Sequence, residues 1–485
     1  MTEPRLPLRF LLAVVLVTAG ALLVACSDTS LTDPPTAPLF HHQPGHAGGP
    51  GGGDGNGDGN GDPTVDSVEP ESATQDTTLD ITVSGSGFDE GSTVELERND
   101  DVAEGITTNS TTFINKRRVV ANITIAADAE LGKYDVAVTT SRGRKGIGIE
   151  LFELVYELVD LGTAPGFSNS AALDLAETGG VLYVVGSNGG DGTEQATLWT
   201  VTEGQVDDPT LLGRPGEAWY WAAGAIATDA GAGIIAGNSS EGPVQWDLDS
   251  HQNAVLLPLD NATDGWAHDV ALVEGGNPMV VGSRRWIVDG SLQDVEAAYW
   301  LDGELHSLPR VENRRASAHS VNSSGTIAGW LFDQGLVIWH RPTNGDEYQV
   351  CRLETSGKVN KISEEEDGSV YVVGASDASD WYATEWKVDL GGAGWDSPPG
   401  GSCMAQTRRL DFSSEFNDVT AGGVAVGQDI QRNRAILWTA AGELIELPHT
   451  TTRRRATHGR AYATNAATTH IVGAMGGSAV LWRAR

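Results

Sequence analysis

Phe416-Asn417-Asp418-Val419, then Val424-Ala425-Val426-Gly427, then Ala435-Ile436-Leu437-Trp438 are three short apolar runs placed close together. Such runs, bounded by turn residues, read as strands rather than helices. The pattern is not local. A run ending in Gly and followed 9 to 18 residues later by Trp recurs from Tyr156 onward. The glycines are Gly186, Gly237, Gly282, Gly329, Gly374, Gly427 and Gly473, at intervals of 51, 45, 47, 45, 53 and 46. The matching tryptophans are Trp199, Trp246, Trp300, Trp339, Trp386, Trp438 and Trp482.

Each unit carries four strand-like pieces. Ala318-His319-Ser320-Val321 represents the first, Val370-Tyr371-Val372-Val373-Gly374 the second, Ala435-Ile436-Leu437-Trp438 the third and Leu305-His306-Ser307-Leu308-Pro309 the fourth. Four strands in a unit of this length predict the blade of a β-propeller. The last unit stops at Trp482 to Arg485 without its fourth strand, and Tyr156 to Gly162 supplies a spare one ahead of the first. The expected fold is a seven-bladed propeller over residues 154–485, closed by that N-terminal strand so that no sheet edge is left open. The repeat tryptophans read as packing residues that each need one partner for the indole N–H.

The unit resembles the bacterial extracellular HAF-repeat family. Asp160-Leu161-Gly162-Thr163, Ser170-Ala171, Val184-Val185-Gly186 and Leu198-Trp199 carry the resemblance. The His-Ala-Phe signature itself is degenerate here, as in Gln195-Ala196-Thr197. The resemblance implies an exported protein and the repeat fold, not a particular ligand.

Residues 63–153 alternate differently. Leu79, Ile81 and Val83, then Ala121, Ile123 and Ile125, then Tyr134, Val136 and Val138 keep a period of two between Gly/Asp turns, which predicts a β-sandwich. Pro63-x-Val65-x-x-Val68-x-Pro70, Val83-x-Gly85-x-Gly87-Phe88 and Gly132-Lys133-Tyr134-x-Val136-x-Val138 resemble the IPT/TIG immunoglobulin-like family. That resemblance implies a spacer or modest binding domain. The whole chain is thus expected to be all-β.

Ahead of it stands an export signal. Arg5 and Arg9 precede the apolar run Phe10 to Val24, and Leu23-Val24-Ala25-Cys26 resembles the lipobox of bacterial lipoproteins. That resemblance implies cleavage after residue 25, a lipid on Cys26 and, with Ser27 next, an outer-membrane destination. Membrane attachment through this anchor is one expected partnership. Residues 26–62 are the lipidated cysteine and a Gly/Asp-rich tether. Asp54, Asn56, Asp58, Asn60 and Asp62 mimic the start of a calcium loop, but Val65 stands where the closing Glu belongs, so no metal site is read there.

With 66 acidic against 31 basic residues the net charge is −35, which argues against nucleic-acid partners. Three cysteines cannot form a disulfide framework, though in an oxidising compartment Cys351 and Cys403 are candidates for one bridge, with two buried free thiols as the alternative. No Walker loop, GxSxG, HExxH or CxxC occurs, and no cofactor motif is read.

Candidate chemistry lies on one propeller face, where loops from fourth to first strands join loops from second to third. Trp219, Trp221 and Trp266 fall in the first class; Trp286, Trp330 and Trp381 fall in the second. Arg314, Arg315, Arg453 and Arg454 join the first class, Arg284 and Arg285 the second, among twelve of eighteen propeller arginines on that face. Aromatic faces and guanidinium groups suit a glycan, an acidic ligand or an envelope protein. The competing use for these arginines is pairing with neighbouring acids. A competing function is hydrolysis or lysis of a polysaccharide, for which Asp174, Asp269 and Asp418, with His268 and His319, are expected to line the channel. No catalytic set is assigned.

Overall fold

The computed structural model describes residues 61–485, apart from 191–192, 230–231, 333–334, 343–346, 354–355, 377–380, 392–394, 396–400, 450, 453–454, 457 and 485. The export signal, Cys26, the tether, Arg453 and Arg454 lie outside the described residues. The protein is all-β, and its helical elements among the described residues are single 3₁₀ turns at Leu248–Ser250 and Glu274–Gly276.

Residues 64–154 build two sheets over one core. The first orders Thr64–Glu69, Thr77–Ser86, Arg118–Ile125 and Ile106–Asn115; the second orders Ser72–Ala73, Lys145–Leu154, Gly132–Thr139, Thr93–Arg98 and Asp101–Val102. The period-two residues Ile81, Val83, Ala121, Ile123, Tyr134, Val136 and Val138 fill the space between them, as alternation requires. The strand Lys145–Leu154 keeps the alternation but places bare residues inward in its first half. Gly146 and Gly148 face inward against Pro63 and Val65, while Ile147 and Ile149 are exposed. Glu150, at φ +52°, lies in a bulge that adds two residues and keeps the phase, so Phe152 and Leu154 are buried at the same parity as the two glycines. Tyr156 Oη donates to the Thr468 carbonyl at 2.8 Å, and Leu131 packs on the cluster around Ile471 and Trp482. These contacts join the two-sheet region to the repeats.

The repeats form successive four-stranded antiparallel meanders in a propeller-like array, numbered here as units 1 to 7. Their first strands lie in Asn169–Thr178, Trp221–Asp229, Asp264–Val273, Ala316–Val321, Gly357–Ile362, the C-terminal part of Ala405–Val419, and Gly459–Thr464. Each packs on the next, and the seventh packs on the first. Glu157–Asp160 pairs antiparallel with Ser478–Arg483, so the early strand supplies the fourth place of the last meander.

The repeat glycines have one mechanical cause. Every first strand carries a β-bulge, between Ala172 and Asp174, Ala223 and Ala225, Ala267 and Asp269, Ala318 and Ser320, Val359 and Lys361, Phe416 and Asp418, and Ala461 and Ala463. The glycine of the second strand pairs with the residue just before the bulge. A Cβ on it would run into a backbone carbonyl of the first strand, that of Ala222 at Gly237 and of Glu415 at Gly427. A bulge twists the strand and lowers its carbonyl onto the partner, so only a residue without a side chain fits opposite.

The repeat tryptophans tie one unit to the preceding one. Trp199, Trp246, Trp300, Trp339 and Trp482 are buried and donate Nε1–H to the carbonyls of Gly162, Gly213, Pro258, Pro309 and Pro448, at 2.7–3.2 Å. Those carbonyls follow the preceding unit's fourth strand. Each indole therefore satisfies its one donor while burying its apolar area. Units 4 and 5 have a further tie. Gly401–Ser402 adds a parallel strand beside Gln349–Leu353, and Cys351 and Cys403 form a disulfide with Cα atoms 5.5 Å apart.

Candidate site at the mouth of the central channel

The first strands meet around an axis, and their bulges aim side chains at it. Seven tetrapeptides superpose by register: Ala172-Leu173-Asp174-Leu175, Ala223-Gly224-Ala225-Ile226, Ala267-His268-Asp269-Val270, Ala318-His319-Ser320-Val321, Val359-Asn360-Lys361-Ile362, Phe416-Asn417-Asp418-Val419 and Ala461-Tyr462-Ala463-Thr464. The first residue is buried in every unit. The second and third vary, and they carry the channel chemistry.

The third positions form a charged floor. Asp174 accepts from the N–H of Leu175 and, in the next unit, of Ile226, both at 2.9 Å. Asp418 accepts from Val419 and Thr464, both at 2.8 Å. Asp269 accepts from Val270 N–H at 3.0 Å, Val321 N–H at 3.1 Å and Ser320 Oγ at 2.6 Å. Each carboxylate thus joins adjacent units through both of its oxygens. Lys361 reaches across from unit 5 and donates to Asp269 at 2.9 Å. Burial pulls the Lys361 ammonium down, but Asp269, Asp174 and Asp418 outweigh it and hold its pKa above the ordinary value. Burial pushes Asp418 up to about 7 despite Lys361, with Asp174 adding to the rise. Burial likewise raises Asp174, opposed by Lys361 and reinforced by Asp269. Three carboxyls around one ammonium cannot all carry charge cheaply away from water.

Above the floor the mouth is aromatic on one side. The imidazoles of His268 and His319 stack with centroids 4.2 Å apart, and Trp266 lies parallel to His268 at 6.4 Å. Burial pushes His268 down to about 4, with Arg285 adding to the shift. Burial, then His268 and Lys358, hold His319 well below its ordinary value. Both rings are neutral at pH 7. Trp330 donates its indole N–H to His319 Nε2 at 2.6 Å, which places the imidazole proton on Nδ1. Arg285 sits over Trp266 at 5.0 Å and pairs with Asp264.

The next arc is charged. Glu415 receives Lys358 and Asn360 on Oε1 and Arg460 on Oε2, the last at 2.6 Å. Burial alone would raise this carboxyl, but Lys358 and Arg460 outweigh it and hold it low. Arg460 also lies over the Tyr462 ring at 5.2 Å.

The remaining sequence-selected residues fall in different settings. Trp219 is 60% exposed and Trp381 is 39% exposed, the latter beneath Lys358 Nζ at 5.0 Å. Trp221 is buried, with its N–H on the Leu212 carbonyl at 3.2 Å, and belongs to the packing between units 1 and 2. Trp266, Trp286 and Trp330 stand in strands rather than loops, because the strands of unit 3 and unit 4 run through those positions. The arginines largely find acids. Arg284 meets Glu296 and Asp260 and lies 5.3 Å from the centroid of Trp286; Arg310 meets Asp294; Arg314 meets Glu312 at 3.0 Å. Arg315 donates to the Gln293 carbonyl at 2.7 Å. Arg284, Arg310 and Arg315 brace the long hairpin Asn277–Val288 to Ser291–Leu301. Among the described residues no group of His, Cys, Asp and Glu is arranged to hold a metal ion.

Sequence reasoning selected Asp174, Asp269, Asp418, His268 and His319, and the structure brings them to one channel. It missed Lys361, Glu415, Lys358 and Gly224. Aligning the seven tetrapeptides was the available signal, since Lys361 then falls in an Asp position and Gly224 in a His/Asn/Tyr position.

No protein-family model matches the chain, and no curated protein does. Solved structures similar to it include "YCF48 bound to D1 peptide", at 12% identity and a TM-score of 0.40 over 68% of this chain and 97% of that one. An auxiliary nutrient binding protein from Bacteroides ovatus is similar at 11% identity and a TM-score of 0.35, over 87% and 98%. An exo-1,5-alpha-L-arabinanase from a bovine ruminal metagenomic library is similar at 12% identity and a TM-score of 0.25, over 74% and 99%.

Proposed function

We propose that this is an exported binding protein. Cys26 carries the lipid that anchors it to the outer membrane, residues 27–62 hold it away from the bilayer, and residues 63–153 are an immunoglobulin-like spacer. Residues 154–485 are a seven-bladed propeller whose channel mouth takes an envelope or environmental ligand. The cyclic packing of the seven first strands and the pairing of Glu157–Asp160 with Ser478–Arg483 support the propeller reading.

The binding reading rests on one observation. The glycine opposite each bulge and the buried tryptophan recur in every unit, while the mouth-facing positions vary, carrying Trp, His, Tyr, Lys, Arg, Asp or Glu in some units and Leu, Asn, Ser, Ala or Gly in others. A scaffold alone does not need that variety. Hydrolysis is the weaker reading, because Asp174, Asp269 and Asp418 spend both oxygens on backbone N–H groups of adjoining units. That use is structural, tying one unit to the next, and accounts for these carboxylates without a reaction.

Two measurements test this. The full chain expressed in a bacterium fed labelled fatty acid is expected to take up label, and Cys26→Ser to lose it. Immobilised protein is expected to retain material from envelope extracts, with Trp266→Ala or Trp381→Ala reducing retention at unchanged thermal stability. Retention unaffected by every mouth substitution would refute the site.

A further inference from the structure

The ring of bulge residues has one vacant seat. Units 1 and 3 to 7 place Leu173, His268, His319, Asn360, Asn417 and Tyr462 there; unit 2 places Gly224. A Cβ built on Gly224 meets no atom within 4 Å, whereas the same construction on Gly237, its partner-strand neighbour, collides with backbone. Gly224 is therefore not required by packing, and it has no positive φ to explain it. In the layer just above, Ala171 and Ala222 continue the gap where other units place Trp266, Lys358, Glu415 and Arg460. The channel mouth is thus a one-sided slot.

Its walls are specific. On the unit 3 side stand the neutral rings of Trp266 and His268, offering flat surface. Further round, Lys358 and Arg460 share the single carboxylate of Glu415, which leaves that layer one positive charge in excess. Polar groups there are unspent: Trp266 Nε1, Arg285 Nε and Arg460 Nε are buried donors without a partner. Below, Lys361 and its aspartates close the channel, so an occupant enters from the mouth and stops.

We infer that the slot receives the terminal residue of an acidic glycan, a uronate, with its ring in the Gly224 seat and its carboxylate toward Lys358 and Arg460. A pyranose ring has an apolar C–H face for stacking, hydroxyl edges for the polar wall and, as a uronate, one carboxylate for the excess charge. The closed floor selects a chain end over a chain interior. This deepens the binding reading above and rests on it.

The probe is a set of defined oligosaccharides ending in glucuronate, in its methyl ester, or in glucose, titrated calorimetrically into the full chain. The acid is expected to bind at least about tenfold more tightly than the ester or glucose, and to weaken with salt. Gly224→Asn introduces the residue that units 5 and 6 already carry at this position, so the fold accommodates it. It is expected to weaken glucuronate binding by about tenfold or more, with Gly224→Ala intermediate. Equal affinity for acid and ester overturns the carboxylate assignment. Unchanged affinity in Gly224→Asn overturns the seat, while leaving a binding protein whose site lies elsewhere. A slot that takes aromatic peptides and no glycan overturns the ligand class. Failure of the wild-type chain to retain any extract component would sink the underlying function instead.

Discussion

The first strands of units 2 and 6 share one backbone plan and opposite contents. Trp221–Asp229 and the end of Ala405–Val419 both bulge, both face a glycine that cannot bear a Cβ, and both bury the residue before the bulge. Yet unit 2 offers Ala222, Gly224 and Ala225 to the channel, where unit 6 offers Glu415, Asn417 and Asp418. The repeat therefore separates two kinds of position. One kind sets geometry and is repeated. The other faces the axis and varies: in unit 6 it bridges to the next unit, Asp418 accepting from Thr464 N–H and Asn417 donating to the Ala461 carbonyl, and in unit 2 it carries nothing.

The largest effect expected from breaking this contrast is on the filled side. Lys361→Met removes the ammonium that Asp269, Asp174 and Asp418 share. It should cost about 4 kcal/mol in chemical denaturation, because breaking a buried pair strands its carboxylate. A loss under 1 kcal/mol would mean the floor is not held by charge.

On the empty side two glycines only thirteen residues apart should behave oppositely. Gly237→Ala drives a Cβ into the Ala222 carbonyl and should cost about 3 kcal/mol. Gly224→Ala meets open space and should change stability by under about 0.5 kcal/mol, or raise it slightly by restricting the unfolded chain. Similar melting shifts for both would erase the distinction between scaffold and channel glycines.

A third expectation concerns pH. Asp418 titrates near 7 when folded and near 3.8 when unfolded, so the native state keeps a proton that the unfolded chain has lost. Its stabilising contribution is complete below pH 4 and is lost as pH rises to 7. Asp418→Ser, which copies unit 4, should gain on the wild type across that window. His268 acts with the other sign. It titrates near 4 folded against 6.5 unfolded, so its contribution is lost as pH falls from 6.5 to 4. His268→Asn, which copies units 5 and 6, should remove that acid loss. Parallel stability-against-pH curves for wild type and both variants would contradict these assignments.

The smallest effect tests what the units share. Trp246→Phe in unit 2 and Trp300→Phe in unit 3 each lose one indole hydrogen bond, to Gly213 and Pro258. Each should cost about 1 kcal/mol, and nearly the same, because the latch belongs to the repeated scaffold. A wide difference would show that the channel contents feed back on packing.

The repeat was legible because its cause is local. A bulge needs a bare partner and an interunit latch needs an indole, so Gly and Trp recur at readable spacing. The burial of Ile81, Ile123 and Val136 followed from period-two alternation in the same way. The exposure of Ile147 and Ile149 did not, because Gly146 and Gly148 take the inward positions there and leave the apolar residues on the outward ones. The arginines were assigned to one face from loop class alone. Their acid partners, such as Glu296 for Arg284 and Asp294 for Arg310, became visible only when strands were placed side by side.

The sequence by itself determined an all-β chain, the repeating four-strand unit and the residues that pack it, since those depend on contacts within a unit or between neighbouring units. Tertiary structure alone decided what the channel contains. Lys361 and Asp269 stand 92 residues apart, and their meeting is fixed by the closure of the array rather than by any local pattern. The vacancy at Gly224 is of the same kind. A glycine in a sequence of 61 glycines carries no sign of what lies beyond its missing side chain; only the packing around it shows open space.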